Sequence, residues 1–250
     1  MCGIDLGDAK ESLVTSRLQK RLLVLGLSTY RKYFDYIQNS GNQRENQIAI
    51  NLLTTNETFF FREFNHFRFL KSSILPNYQK RQIFRVWSAA ASSGEEAYSI
   101  AMILDDVLGG RYWEVFGSDV NTQVLEQASS GHYSAGRIDG IPKEYLKRYC
   151  LKGKDEYENT MLIDAKLRAK VSFAPVNLCN TIPEIGRFHV IFLRNVLIYF
   201  DRATQAQVIK RITNVLLPGG HLFLGHSESI KGFRHELKYI APAIYQKVGN

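Results

Sequence analysis

The chain has 250 residues, of which 45% are hydrophobic and 22% charged, and its formal net charge is +8. This is ordinary globular composition, which excludes a fibrous or disordered polypeptide, and no apolar run approaches the roughly 18–20 residues of a membrane span. The positive balance calls for an anionic partner, a demand that an acidic protein surface or a small anion meets as well as nucleic acid does.

From the N-terminus, Asp5, Asp8 and Glu11 stand where a secretory signal is basic and then apolar. Leu13, Leu18, Leu22, Leu25, Tyr30, Phe34 and Ile37 recur at near-helical spacing, broken at Gly26 and the Ser28-Thr29 pair, a helix stop and a new N-cap. Further helical stretches are expected over 43–53 and, rich in phenylalanine, over 63–74, with Pro76 closing the block. Residues 1–75 therefore read as an all-helical domain. Beyond Pro76 strand and helix signals alternate: strands at 83–87 and 112–117, helices at 97–107 and 122–129, then the apolar run FHVIFL at 188–193, expected of a central strand covered on both faces. A helix face at 208–216 ends in Pro218-Gly219-Gly220, and strands are expected at 221–225 and 243–247. Alternation of this kind predicts an α/β domain over 76–250 built on a parallel, doubly wound sheet. The segment 149–176, with short β-like runs at 160–163 and 170–175, fits that rhythm poorly and is expected to be a small β subdomain inserted in it. Cys2, Cys150 and Cys179 are odd in number and lack CxxC spacing, so they read as free thiols of a reducing, cytoplasmic compartment.

In a doubly wound sheet ligands bind at the carboxyl ends of strands, which singles out 88–96, 117–121 and 194–199. The first, SAAASSGEE, has no GxGxxG, yet its small residues let backbone approach a ligand closely. Ser93-Gly94-Glu95-Glu96 also reads as a capping box, which needs no ligand. Two acids at that helix entry suit a cationic ligand better than a phosphate. Asp119, about 20–25 residues beyond the turn, stands where an acid accepts ribose hydroxyls, although Asp119 or Asn121 could instead cap the next helix. A ribose site next to a cation site without a phosphate cradle fits S-adenosylmethionine, and not a nicotinamide dinucleotide or ATP. In the third stretch Arg194 and Asn195 leave a buried strand and Tyr199 follows one turn later. A fourth stretch, 54–63, mixes polar side chains with Phe59, Phe60 and Phe61 and reads as a segment folded over the pocket. Gly225-His226-Ser227-Glu228-Ser229 departs from a nucleophile elbow in its last residue, and the six histidines show no metal spacing, so no metal site is expected.

These pieces together resemble the chemotaxis receptor methyltransferases, the CheR family, over essentially the whole length. The matching segments are TTNETFFFRE (54–63), RVWSAAASSGEEAYSIAM (85–102), FGSDVN (116–121), PVNL (175–178), FLRNVLIYFD (192–201) and LPGGHLFLGHSES (217–229). Ala91 and Leu193 stand where many members have Cys, and Ala97 where many have Pro. The resemblance implies a Rossmann-like class I S-adenosylmethionine-dependent methyltransferase with an N-terminal helical domain and an inserted β subdomain, which in some relatives docks a receptor's C-terminal tail. It further implies that Asn56, Thr58, Arg62, Glu96, Asp119, Asn177, Leu178, Arg194 and Asn195 contact the cofactor, with Arg62 and Tyr199 nearest the transferred methyl. The implied acceptor is a glutamate carboxylate on a chemoreceptor's methylation helices, with no nucleic acid and no membrane insertion. Arg17, Lys20, Arg21, Arg31 and Lys32 are candidates for docking those acidic helices, and Phe59–Phe61 for an apolar lid. A methyltransferase of RNA or of a small molecule, or a non-catalytic cofactor sensor, are the other readings of the same pocket.

Overall fold

The computed structural model of the chain describes residues 2–5, 11–39, 42–78, 82–110 and 112–249. Three helices, α1 (Glu11–Val24), α2 (Tyr30–Asn39) and α3 (Gln43–Leu53), bury Leu18, Leu22, Tyr33, Ile37 and Ala49 in a small core of their own. Gly26 ends the first helix at φ +65°, a conformation that favours glycine. Asn42 caps the third, its side-chain oxygen accepting the Glu45 N–H at 3.2 Å. Glu45 is buried in this core, where the Arg21 guanidinium grips it with two hydrogen bonds and the Tyr33 hydroxyl donates at 2.9 Å. Those bonds, Arg21 foremost, hold the Glu45 carboxyl below the usual carboxylate range despite its burial.

The fourth helical stretch is α4 (Asn65–Phe69), continued by a π-helical turn (Leu70–Ile74) and a 3₁₀ turn (Leu75–Asn77). Its Phe67, Leu70 and Leu75, with Phe60 and Phe61, pack into the core of the sheet and not into the helical block. The change in packing therefore falls near residue 54, earlier than the expected boundary at 75, because the apolar face of 60–75 finds its partners on the sheet.

The sheet domain runs β1 (Phe84–Ser88), α5 (Glu95–Leu108), β2 (Trp113–Asp119), α6 (Thr122–Ser130), β3 (His132–Ser134), α7 (Lys143–Tyr149), β4 (Cys150–Lys152), β5 (Thr160–Ile163), α8 (Ala165–Arg168), β6 (Val171–Pro175), β7 (Phe188–Leu193), α9 (Arg202–Val215), β8 (Leu216–Leu224), β9 (Leu237–Ala241) and β10 (Ile244–Lys247). The seven-stranded sheet has the order β6-β2-β1-β7-β8-β10-β9. Pairings from β6 to β8 are parallel; those of β10 with β8 and with β9 are antiparallel. The expected all-parallel sheet is thus corrected to a mixed one: the two residues between β9 and β10 leave room only for a hairpin, and a hairpin is antiparallel. β7 lies at the centre with one buried cluster on each face, as its unbroken apolar run requires.

A second sheet, β3-β5-β4, forms the small subdomain. The run at 160–163 belongs to it, but the run at 170–175 does not. It is β6, paired with β2 from Val115↔Val171 to Asp119↔Pro175. The subdomain draws instead on 132–134, a strand too short to announce itself. The strand order reverses between β1 and β7, which places the switch point at the carboxyl ends of Ser88 and Leu193. No helix among the described residues is long and apolar enough to cross a membrane.

Candidate functional site

A cavity of about 1180 Å³, open mouth included, lies over that switch point. All ten residues singled out above line it: Asn56, Thr58, Arg62, Glu96, Asp119, Asn177, Leu178, Arg194, Asn195 and Tyr199. The wall also contains Cys2 and Ile4, and Leu13 and Leu53 from the helical block. Leu13 and Leu53 carry no signal for this site, since apolar residues in a helical pattern read as core, and Cys2 and Ile4 precede the first helix and belong to no motif.

Asp119, at the end of β2, is 8% exposed. Its carboxylate accepts the Ser92 N–H at 2.9 Å and the Asn121 N–H at 3.0 Å. Burial nevertheless pushes its pKa up, since the two amides do not fully replace water. The cap of α6 is Asn121, whose side-chain oxygen accepts from Gln123 and Val124. Its amide donates to Asn51, Thr54 and Asn56, tying the 54–56 segment to the strand end. Asp119 is therefore left to face the cavity.

The turn 89–94 forms no capping box. Gly94 occupies the N-cap of α5 at φ +95°, where a Cβ would lie 2.9 Å from that of Ala128. The Ser93 hydroxyl donates to Glu95, which is fully buried and paired with Arg137 at 2.8 Å. Glu96 accepts from the Ser88 hydroxyl at 2.7 Å and from Arg194 at 2.8 Å. Arg194 is itself buried, bridges Glu96 and Glu63 (3.0 Å), and donates to the Arg62 carbonyl. One guanidinium between two carboxylates, with Asp119 nearby, leaves the inner wall negative, a setting for a cationic ligand. The price is that Arg194 contributes chiefly by neutralising and placing these acids.

Arg62 is half-buried at the cavity edge; its guanidinium donates to the Glu57 carbonyl at 2.9 Å and lies 5.6 Å from the Phe59 ring centre. The expected lid of three phenylalanines is corrected: Phe60 and Phe61 are buried in the sheet core against Tyr133 and Phe67, and only Phe59 is exposed. They anchor the segment and do not cover the cavity. Phe61 and Glu63 on either side of Arg62 have φ of +56° and +58°, strained conformations of the kind found at functional sites.

Behind this wall, Glu63, His66 and His226 bring ligand-type atoms within 4.8 Å of one another. Arg194 already occupies the same Glu63 oxygen, so a cation there would meet a fixed positive charge. Burial pushes the pKa of His66 down to about 4, with Arg194 adding to the shift. An unfolded His66 titrates near 6.5, so as pH falls the unfolded chain takes up the proton first. Stability that is complete above that value drains away between 6.5 and about 4. The loss is expected to be on the order of 3 kcal/mol. Urea unfolding near neutral pH and below pH 5 checks it: a His66→Gln variant should lose correspondingly less stability over that interval than the wild type.

Residues 56–245 match the family model described as CheR methyltransferase, SAM binding domain, and residues 1–54 match CheR methyltransferase, all-alpha domain. The chain is 41% identical over 251 residues to the chemotaxis protein methyltransferase of Escherichia coli K12, covering 97% of this chain and 85% of that protein. To chemotaxis protein methyltransferase 2 of Pseudomonas aeruginosa it is 37% identical over 248 residues, covering 98% and 88%. With both family models matched in order along nearly the whole length, this chain belongs to the CheR methyltransferase family, enzymes that use S-adenosylmethionine in chemotaxis.

Proposed function

We propose that the chain methylates glutamate side-chain carboxylates of cytoplasmic chemoreceptor domains, giving glutamyl methyl ester and S-adenosylhomocysteine. The observation that carries this reading is that Arg62 and Tyr199 line the same cavity as the buried Asp119. A cation and a phenol for an incoming carboxylate thus share one enclosure with an acid for a ribose. The wall fits the cofactor. Asp119 is poised to accept ribose hydroxyls, Val120, Val176 and Leu178 offer apolar surface to a base, and Glu96 supplies negative charge for a cationic end. The bound cofactor supplies an activated methyl on a sulfonium. The chain's own residues then bind, align and dehydrate the acceptor.

A glutamate side chain has an unperturbed pKa of about 4.3 and is already an anion at neutral pH, so no group need remove a proton. In keeping with this, no histidine or lysine is found among the described residues lining the cavity. What remains is alignment and exclusion of water, worth up to about 7–11 kcal/mol in well-oriented systems. Arg62 and the Tyr199 hydroxyl hold the carboxylate beside the methyl, at the part of the wall that Thr58 and Arg62 line. Methyl transfer from labelled cofactor to receptor, released as methanol by mild base, tests the reading. Base-stable label, or label accepted only by RNA, would overturn it.

Two of the five docking candidates are committed elsewhere. Arg21 grips Glu45, and Arg17 donates to the Leu53 and Thr54 carbonyls and to Thr55. Lys20, Arg31 and Lys32 are exposed and remain for an acidic receptor helix. Replacing these three by glutamate is expected to raise the KM for receptor by about tenfold at low salt, an effect that shrinks as salt is added, with S-adenosylhomocysteine affinity unchanged. Steady-state kinetics at two ionic strengths check this.

A further inference from the structure

The turn Gly225-His226-Ser227-Glu228 follows β8 and lacks the partners of a nucleophile elbow, and Glu228 does not line the cavity. Glu228 is nevertheless 8% exposed and fully engaged. One carboxylate oxygen accepts the N–H groups of Gly225 (2.7 Å) and Asn195 (2.8 Å); the other accepts those of Leu197 (2.7 Å) and Ile198 (3.4 Å). Three of these four donors lie between β7 and α9, in the segment whose Asn195, Val196 and Tyr199 face the cavity. Leu197 and Ile198 open the 3₁₀ turn Leu197–Tyr199, so the carboxylate satisfies the free amides at the start of the turn that ends on Tyr199. Asn195 has φ +56°, a conformation that a non-glycine residue keeps only where its surroundings hold it. The approach is close: a Cβ on Gly225 would lie 2.6 Å from the Asn195 side-chain amide and 2.9 Å from Glu228. The same turn also reaches the Arg62 segment, since the His226 N–H donates to Glu63 at 3.3 Å.

We propose that Glu228 is a positioning residue for methyl transfer: its carboxylate fixes the backbone of 195–198 and so places the Tyr199 hydroxyl relative to Arg62. This rests on the function proposed above. A glutamine at 228 keeps the shape but turns an NH₂ toward backbone donors, so half of the four bonds are lost and like groups face each other. In the full chain, Glu228→Gln is expected to lower kcat on receptor by at least about 20-fold while changing the Kd for S-adenosylhomocysteine by less than about fivefold. Glu228→Asp, which keeps both acceptor oxygens, is expected to recover part of that loss. A kcat within about twofold of wild type, or a loss of S-adenosylhomocysteine affinity that matches the loss of kcat, would overturn the assignment. Should the variant fail to fold, hydrogen exchange on the wild type decides. The amides of Asn195, Leu197 and Gly225 should be protected although their acceptor is a side chain and not a helix or strand carbonyl, and exchange at the rate of open loops would refute the proposal. A wild type that transfers no methyl to receptor would count against the function proposed above and leave the exchange result standing.

Discussion

Replacing Asp119 by alanine is expected to weaken binding of S-adenosylhomocysteine by about 10²-fold or more, the largest single loss of affinity in the cavity. The carboxylate sits at the end of β2 with both oxygens oriented by backbone, one by Ser92 and one by Asn121. Hydrogen bonds from ribose hydroxyls to such an ion are charge-assisted and made where water competes little, each worth about 1.5–3 kcal/mol. Alanine removes those bonds and also leaves two amides without their acceptor, so the turn 89–94 loosens as well. Asp119→Asn keeps the shape and one acceptor and should lose less. Titration calorimetry, with thermal unfolding as the control for folding, checks both. An affinity within about threefold of wild type for the alanine variant would mean that Asp119 only braces the turn.

Replacing Arg62 by alanine should strike turnover instead of cofactor affinity, lowering kcat by about 10²-fold or more. The backbone at 60–62 is held by groups other than the Arg62 side chain. Phe61 N–H donates to the Ser99 hydroxyl at 3.0 Å, the Arg62 carbonyl accepts from Arg194, and Phe60 and Phe61 are locked in the core. Truncation therefore removes the guanidinium and its bond to the Glu57 carbonyl, while Phe60 and Phe61 keep the segment anchored. Arg62→Lys is expected to restore only part of the rate, because a point charge does not present the planar fork that matches a carboxylate. Single-turnover kinetics at saturating cofactor check this, and full activity in the alanine variant would remove Arg62 from the mechanism.

Much of this cavity was legible in the chain because its parts are local. The small-residue turn, the acid at the end of a strand and the polar exit from an apolar run each sit within a few residues of the element that places them. Long-range commitments left no such trace. Arg21 reads as a surface cation since Glu45 lies 24 positions away, and nothing near Arg194 in the chain announces its pairing with Glu96, 98 positions away. A short apolar strand says nothing of which sheet will pair with it, so the run 170–175 reads as part of the subdomain although it pairs with β2. Nearness in sequence groups residues 63–74 with the helices before them, whereas Phe67 and Leu70 bury their side chains on the sheet. The reading of a capping box failed on Gly94, whose left-handed conformation starts the helix without a side-chain bond.

The most direct measurement is to locate the methyl group on the receptor by tandem mass spectrometry after incubation with the enzyme and S-adenosylmethionine. The expected result is one added methyl on glutamate side chains, removed by mild base and greatly diminished with Arg62→Ala. A methyl group on any other residue type, or one that survives base, would contradict it.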